Sequence, residues 1–221
     1  MVGVILILLG LLIGGFLFVL MTDGRYFGKQ LMYWVYDRIG PAAFGSRSEA
    51  SDWQGLFAAL KLQGDEQVLD VGTAVGDLPL TLTAQPNFQG HATGIDWSPR
   101  MMETAYLEAQ KRGLTARIDF RVVDVRQPLP FNDNTFDVIF CFGLIETLPN
   151  PQALLQEFSR IAQPNGMLVL SLYKGWSSWS AALDLKWYQS HLAQLGRPAP
   201  EIQTLPFRNS QAVVVARFGK V

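Results

Sequence analysis

The sequence predicts an α/β domain organised on a mainly parallel sheet of seven strands, carried behind a long apolar N-terminal helix. Three observations predict it. Short β-branched runs alternate with helix-patterned stretches from Val68 to Phe218, the rhythm of strands joined by crossover helices. Val68-Leu69-Asp70-Val71-Gly72-Thr73-Ala74-Val75-Gly76-Asp77-Leu78 reads as strand, tight glycine-bearing loop and helix. That arrangement offers backbone N–H groups and a helix N-terminus to a nucleotide-like ligand. Finally, no charged residue occurs between Val2 and Met21.

The apolar start is long enough to matter, because a helix of about 20 residues covers the roughly 30 Å of a bilayer's hydrocarbon core. A cleaved leader wants a basic start and a small-residue cleavage site. No Lys or Arg precedes this run, and Phe16-Leu17-Phe18-Val19-Leu20-Met21 has no such site. The expectation is a single-pass anchor over residues 1–22. Arg25, Lys29, Arg38 and Arg47 outnumber Asp23 and Asp37 after it, which places the following domain on the cytoplasmic side. Gly10 and Gly14 form one small-xxx-small pair through which two anchors could pack into a homodimer.

Residues 23–47 are expected to form an amphipathic linker helix at the membrane surface. Tyr26 to Ile39 is rich in Tyr and Trp, residues that favour the headgroup region, and Gly40-Pro41 is expected to break it. The surface-helix reading accounts for most of this pattern; the sharper alternative is that Tyr33, Tyr36 and Asp37 line a substrate entrance. The domain proper spans 48–221. Ser46-Arg47-Ser48-Glu49 fits a capping box, and Trp53, Leu56, Phe57 and Leu60 form a buried stripe at helical spacing.

Strands are then expected at Val68–Val71, His91–Asp96, Phe120–Val123, Phe136–Phe142, Met167–Tyr173, Ile202–Leu205 and Ala212–Phe218. The Phe136 run is nearly all apolar, as in strands buried on both faces. Helices are expected at Asp77–Ala84, after Ser98-Pro99, after Asn150-Pro151 and over Ala181–Leu195. Met102, Ala105, Tyr106 and Ala109 should share the inner face of the second. Leu154, Leu155, Phe158 and Ile161 should share that of the third. Pro164-Asn165-Gly166 should turn the chain into the fifth strand.

Composition removes several function classes. A net charge of -1 gives no basic stripe for nucleic acid. One cysteine, Cys141, allows no internal disulfide, and two histidines, His91 and His191, are too few and too far apart for a zinc site. No metal is expected.

Ligands of such sheets sit beyond the C-terminal strand ends, and three successive ends deliver an acid. Asp70 ends the first strand. Asp96 ends the second, about 20 residues past the loop, where a carboxylate can accept from both hydroxyls of a ribose. Asp124 ends the third, suited to an exocyclic amine on a base. Singly these acids could be caps or turn residues; together they outline one pocket. At the fourth end, the backbone of Cys141-Phe142-Gly143 faces the same place.

The chain resembles the class I S-adenosylmethionine-dependent methyltransferases from about Ala50 to Val221. Val68–Gly76 is similar to their glycine motif and Gly94-Ile95-Asp96-Trp97-Ser98-Pro99 to their ribose segment. Val123-Asp124-Val125 with Leu129-Pro130-Phe131 is similar to their adenine segment, and Phe136-Asp137-Val138-Ile139 and Arg160–Gly166 to their later strand and turn. The resemblance implies a Rossmann-like, doubly wound sheet with helices on both faces and S-adenosyl-L-methionine as cofactor. By it, Asp96 with Trp97 holds the ribose, Asp124 and Val125 the adenine, and Asp70, Gly72, Thr73, Ala74 and Gly76 the methionine end, with Cys141 beside them. The family usually has glycine where this chain has Ala74, which is expected to weaken or reshape binding. Gly72-x-Ala74-x-Gly76 does not fit the nicotinamide fingerprint.

Methyl transfer is direct displacement, so the protein mainly positions the partners in a dry site. A hydroxyl acceptor needs a base. Glu146, after the fourth strand, is the best-placed candidate, with Tyr36 and then Tyr33, Asp37 and His191 behind it. The anchor favours a lipidic or small-molecule acceptor, a phospholipid headgroup or a quinone-like ring, and Trp176, Trp179, Trp187 and Tyr188 could cover an apolar one. The alternative is a membrane-tethered, non-catalytic scaffold or regulator.

Overall fold

In a computed structural model the structure describes residues 2–21, 28–44, 50–173, 183–195, 198–207 and 211–219. The chain runs α1 (Val2–Met21), α2 (Lys29–Phe44), α3 (Ala50–Leu60), β1 (Gln67–Val71), α4 (Asp77–Thr83), β2 (His91–Asp96), α5 (Pro99–Lys111), β3 (Ile118–Val122) and β4 (Phe136–Cys141). A 3-10 turn (Ile145–Thr147), α6 (Pro151–Ile161), β5 (Ala162–Tyr173), α7 (Leu185–Leu192), β6 (Glu201–Phe207) and β7 (Gln211–Arg217) complete it.

The seven strands form one sheet in the order β3-β2-β1-β4-β5-β7-β6. β3, β2, β1, β4 and β5 are parallel, and β7 runs antiparallel to both β5 and β6. The alternating side chains of the central strands explain the two cores. Leu69, Val71, Ile139, Leu168 and Val214 face one layer, packed under Leu154, Leu155, Phe158 and Ile161 of α6 and Tyr188 and Leu192 of α7. Val68, Val138, Phe140, Val169 and Val215 face the other, under the Trp53, Leu56, Phe57 and Leu60 stripe of α3 and the leucines of α4. Both faces being covered, the central strands tolerate almost no polar residue until their C-terminal ends.

Several local expectations are corrected. Gly40-Pro41 does not end α2, which continues to Phe44 with Pro41 inside it; the proline removes one donor, and Gly40 is buried against the domain. On α5 the inner face is Met101, Met102, Ala105 and Ala109, whereas Tyr106 is exposed. Met101, Ala105 and Ala109 stand four residues apart in series, so Met101 rather than Tyr106 completes the face. Pro164-Asn165-Gly166 lies inside β5: Phe136 pairs with Ala162 but Val138 with Met167, so the turn signal becomes a bulge within the strand. The caps behaved as expected, with Ser98 accepting from Met101 N at 3.2 Å and Asn150 from Ala153 N at 3.3 Å. The capping box at 46–49, Trp176 and Trp179 lie outside the described residues.

α1 is a helix over Val2–Met21, and the side chains described within it, residues 9–18, include exposed Leu11, Leu12, Phe16 and Leu17. Among the described residues no helix is long and apolar enough to cross a membrane. A Cβ placed at Gly10 or Gly14 would meet nothing within 4 Å.

Candidate active site

The C-terminal ends of β1, β2, β4 and β5 open onto a cavity of ≈ 640 Å³, within the roughly 300–1,000 Å³ of small-molecule sites. Among its walls are Asp70, Gly72, Thr73, Ala74, Asp96 and Trp97, and further along Asp124 and Val125. Most residues expected from the sequence are therefore brought together. Gly76 and Cys141 are not on the wall. Gly76 sits at φ 81 as the N-cap of α4, where a Cβ would come within 2.7 Å of the Phe120 ring; its role is to let the loop pack. Cys141 is fully buried, its thiol pushed well above the usual range by burial, with Glu146 adding. Its neighbours Phe142 and Gly143 line the cavity instead.

The first two acids are buried. Asp70 is 4% exposed and Asp96 3%. Burial pushes the Asp70 carboxyl up to about 7; Thr73 offsets part of this, while Asp96 and Asp77 add to it. Burial also raises Asp96, against hydrogen bonds from Ser98 N, Tyr36 and the Ala74 backbone. Oδ2 of Asp96 accepts from Tyr36 Oη at 2.9 Å and Ala74 N at 3.2 Å, and Oδ1 accepts from Ser98 N at 3.0 Å. Asp124 differs: its carboxylate takes the Arg126 fork, with Nε to Oδ1 at 2.8 Å and Nη2 to Oδ2 at 2.6 Å, and that bonding lowers its pKa. The third strand-end acid is thus half-exposed and already engaged by a cation.

Ala74 occupies the left-handed region at φ 50, which costs a non-glycine residue roughly 1–2 kcal/mol. The conformation belongs to the Thr73–Gly76 turn, closed by Gly76 N donating to Thr73 O at 2.9 Å. Ala74→Gly is therefore expected to raise unfolding stability by about 1 kcal/mol, read from the urea midpoint; no gain would mean that the loop is not strained there.

α2 belongs to the site. Tyr36 stacks on Trp97 with centroids 5.5 Å apart, and Tyr33 lies 4.9 Å from the same ring. Asp37 accepts from Ser98 Oγ at 2.6 Å and pairs with Arg100 Nε at 3.5 Å. Tyr33 and Tyr36 therefore roof the Asp96 end of the cavity, while Asp37, off its wall, pins α2 to the start of α5. This interlock of α2 with the start of α5 has no local signal in the sequence, since its partners are some 60 residues apart.

Beyond the Gly72–Gly76 loop the cavity turns apolar, walled by Trp53, Phe142, Leu144, Leu148, Leu172 and Phe207. The antiparallel strands contribute Phe207 and Ala212, which meet the same sheet edge because β7 reverses direction. Glu146 is buried in the 3-10 turn and is not itself on the wall; Ser171 is, and it stands between them. The one mark of Ser171 in the sequence is a lone hydroxyl inside Met167-Leu168-Val169-Leu170-Ser171-Leu172. His191 stacks on Trp187, with Nδ1 2.8 Å from the Trp187 carbonyl oxygen, away from the cavity.

Two buried carboxylates beside a wide cavity suit a ligand that carries a cation and a vicinal diol. A cradle of this kind at the C-terminal ends of a parallel sheet defines a Rossmann-like cofactor-binding protein. The family model described as a methyltransferase domain matches residues 62–202. The chain belongs to that family, and S-adenosyl-L-methionine is the cofactor of its domain. Its relatives include a 2-phytyl-1,4-naphtoquinone methyltransferase of Nostoc sp., 31% identical over 142 residues, 59% of each chain. A phosphatidylethanolamine N-methyltransferase of Cereibacter sphaeroides is 31% identical over 129 residues, 58% of this chain and 60% of the relative. Magnesium protoporphyrin IX methyltransferase of Synechocystis, solved with bound S-adenosylmethionine, shares the fold at a TM-score of 0.67 and 16% identity, over 86% of this chain and 97% of that one. The chain spans about half the length of the curated relatives it matches.

Proposed function

We propose that this protein is a membrane-anchored enzyme that moves a methyl group from S-adenosylmethionine to a small or lipidic acceptor, a quinone-like ring or a phospholipid headgroup. The observation that carries it is the single cavity whose one end is acidic and whose other end is apolar. When bound, the cofactor supplies an activated methyl group on a cationic sulfur. Asp70 would hold the ammonium of its methionine part, Asp96 the ribose diol, and Trp97 and Val125 would lie beside the base. Trp53, Phe142 and Phe207 hold the acceptor and exclude water, which keeps the reacting atoms in near-attack geometry. The relatives named for quinone and phosphatidylethanolamine methylation support the acceptor class.

Anchoring is supported by the uncharged run Val2–Met21, and a cytoplasmic domain by the basic residues that follow it. Pairing of two copies through Gly10 and Gly14 would use a helix face with open space beside it. A chain beginning at Gly28 keeps α2 and with it Tyr36; it should leave the membrane and still bind cofactor. Persistent membrane association of that chain would count against the anchor.

The test is to incubate membranes and purified protein with methyl-labelled cofactor and separate the products. Label in the lipid-extractable fraction is expected. Label confined to water-soluble metabolites would remove the lipidic acceptor. Tight cofactor binding with no transfer at all would favour the scaffold reading, although two intact cofactor carboxylates argue for turnover.

A further inference from the structure

The apolar half of the cavity contains one buried polar pair that cofactor binding does not use. Ser171, at the C-terminal end of β5, lines the cavity and is 7% exposed; Glu146, in the 3-10 turn after β4, lies behind it at 8%. Ser171 Oγ is 3.3 Å from both Oε1 and Oε2 of Glu146, at the fork of the carboxylate, and accepts from Gly143 N at 3.2 Å. The strand end is held from the other side by Tyr188 Oη, which donates to the Ser171 carbonyl at 3.0 Å. A hydroxyl donating to a carboxylate and accepting one N–H keeps one lone pair, and the cavity is the side left for it.

We infer that Ser171 and Glu146 form a proton relay for the acceptor, Ser171 touching the acceptor hydroxyl and Glu146 receiving the proton through it, which makes the acceptor an apolar molecule bearing an acidic, phenol-like hydroxyl. The inference rests on the methyl-transfer reading. Glu146 stands behind the wall, and the Ser171 hydroxyl both touches its carboxylate and lines the cavity, so it is placed to pass a proton between them. The chemistry balances. The acceptor O–H proton passes to Ser171 Oγ as the Ser171 proton passes to Glu146. The freed oxygen pair forms the new O–CH3 bond, and the C–S pair stays on sulfur. Glu146 later returns one proton to solvent. A phosphodiester headgroup fits this end poorly, because Arg126 is the only Lys or Arg on the described wall and it is committed to Asp124.

The test uses the full chain in detergent and 4-nitrocatechol, whose absorbance shifts when its hydroxyl ionises. Bound to the wild type without cofactor, slightly below the pH at which the free probe ionises, the probe should show the ionised spectrum. In Glu146→Gln and Ser171→Ala the bound probe should stay protonated, and Glu146→Asp should restore part of the shift. Each variant should bind S-adenosylmethionine within about twofold of wild type, which shows that the fold is intact. Methyl transfer to an alkyl catechol should fall about 100-fold in kcat with little change in KM. The acid limb of the kcat profile should vanish in Glu146→Gln, and the double variant should be no slower than either single one. A protonated bound probe in the wild type, equal ionisation in Glu146→Gln, or no probe binding at all would each overturn the relay. Failure of the methyl-transfer reading would show separately, as absent cofactor binding in the wild type.

Discussion

Asp96→Ala is expected to weaken S-adenosylmethionine binding by at least about 100-fold. The carboxylate is buried and oriented by Ser98 N and Ala74 N, so on the proposed function it would meet a ribose already aimed. Hydrogen bonds to a charged acceptor are worth about 1.5–3 kcal/mol each, and a vicinal diol makes two. Isothermal titration of the full chain in detergent checks the size of the loss. A melting curve distinguishes lost recognition from lost structure, because the same carboxylate holds Tyr36 and the glycine loop. Asp96→Asn should fall between, since an amide can keep one acceptor but carries no charge. Wild-type affinity in Asp96→Ala would end the assignment of this pocket.

Cofactor affinity should also fall steeply as pH drops below 7, by up to tenfold per unit. Asp70 protonates at about 7 because burial opposes its charge, whereas an ammonium beside it favours the ionised form and lowers that value in the complex. Affinity is therefore complete above about pH 7, and below it the proton held by Asp70 must be expelled on binding. The same group works against the fold. Its folded pKa lies above its ordinary value of 3.8, so between roughly pH 4 and 7 the folded chain holds more proton at this site than the unfolded one. The Asp70 contribution to stability is greatest at acid pH and is lost as pH rises through 7, by about 1.4 kcal/mol for each unit of difference. Asp70→Asn should consequently melt higher than wild type at pH 8, bind cofactor much more weakly, and lose the pH dependence. A flat wild-type affinity between pH 5 and 8 would separate Asp70 from the ammonium.

What the sequence made legible follows from how locally each feature is determined. Strand ends are marked by the switch from β-branched runs to an acid or glycine, so the sequence itself puts Asp70, Asp96 and the loop between them on one edge. The methyl-donor family was legible for the same reason. The sequence reads Asp124 as ending the third strand, whereas β3 stops at Val122 and Asp124 lies two residues beyond it, where Arg126 changes what its carboxylate is free to do. The composition of α2 is that of a surface helix. Nothing local shows that Tyr36 reaches a carboxylate 60 residues away. The Gly40-Pro41 pair was a true breaker signal overruled by packing, since Gly40 is buried against the domain. Glu146 was singled out for its position after β4, yet its distance from the cavity and the hydroxyl in between are tertiary facts. A lone serine in an apolar strand was the available hint, and periodicity alone gives it no meaning.

The hydrogen bond from Tyr36 to Asp96 bears on the end of the catalytic cycle more than on its beginning. A buried carboxylate that loses its ligand is costly to leave bare. Here the tyrosine hydroxyl already stands within bonding distance of the oxygen a ribose would share. Departure of the spent cofactor is then an exchange of partners in which no naked charge has to form. The same exchange would subtract from the net gain of every arrival, so on the proposed function weaker holding and quicker clearance of product are expected together.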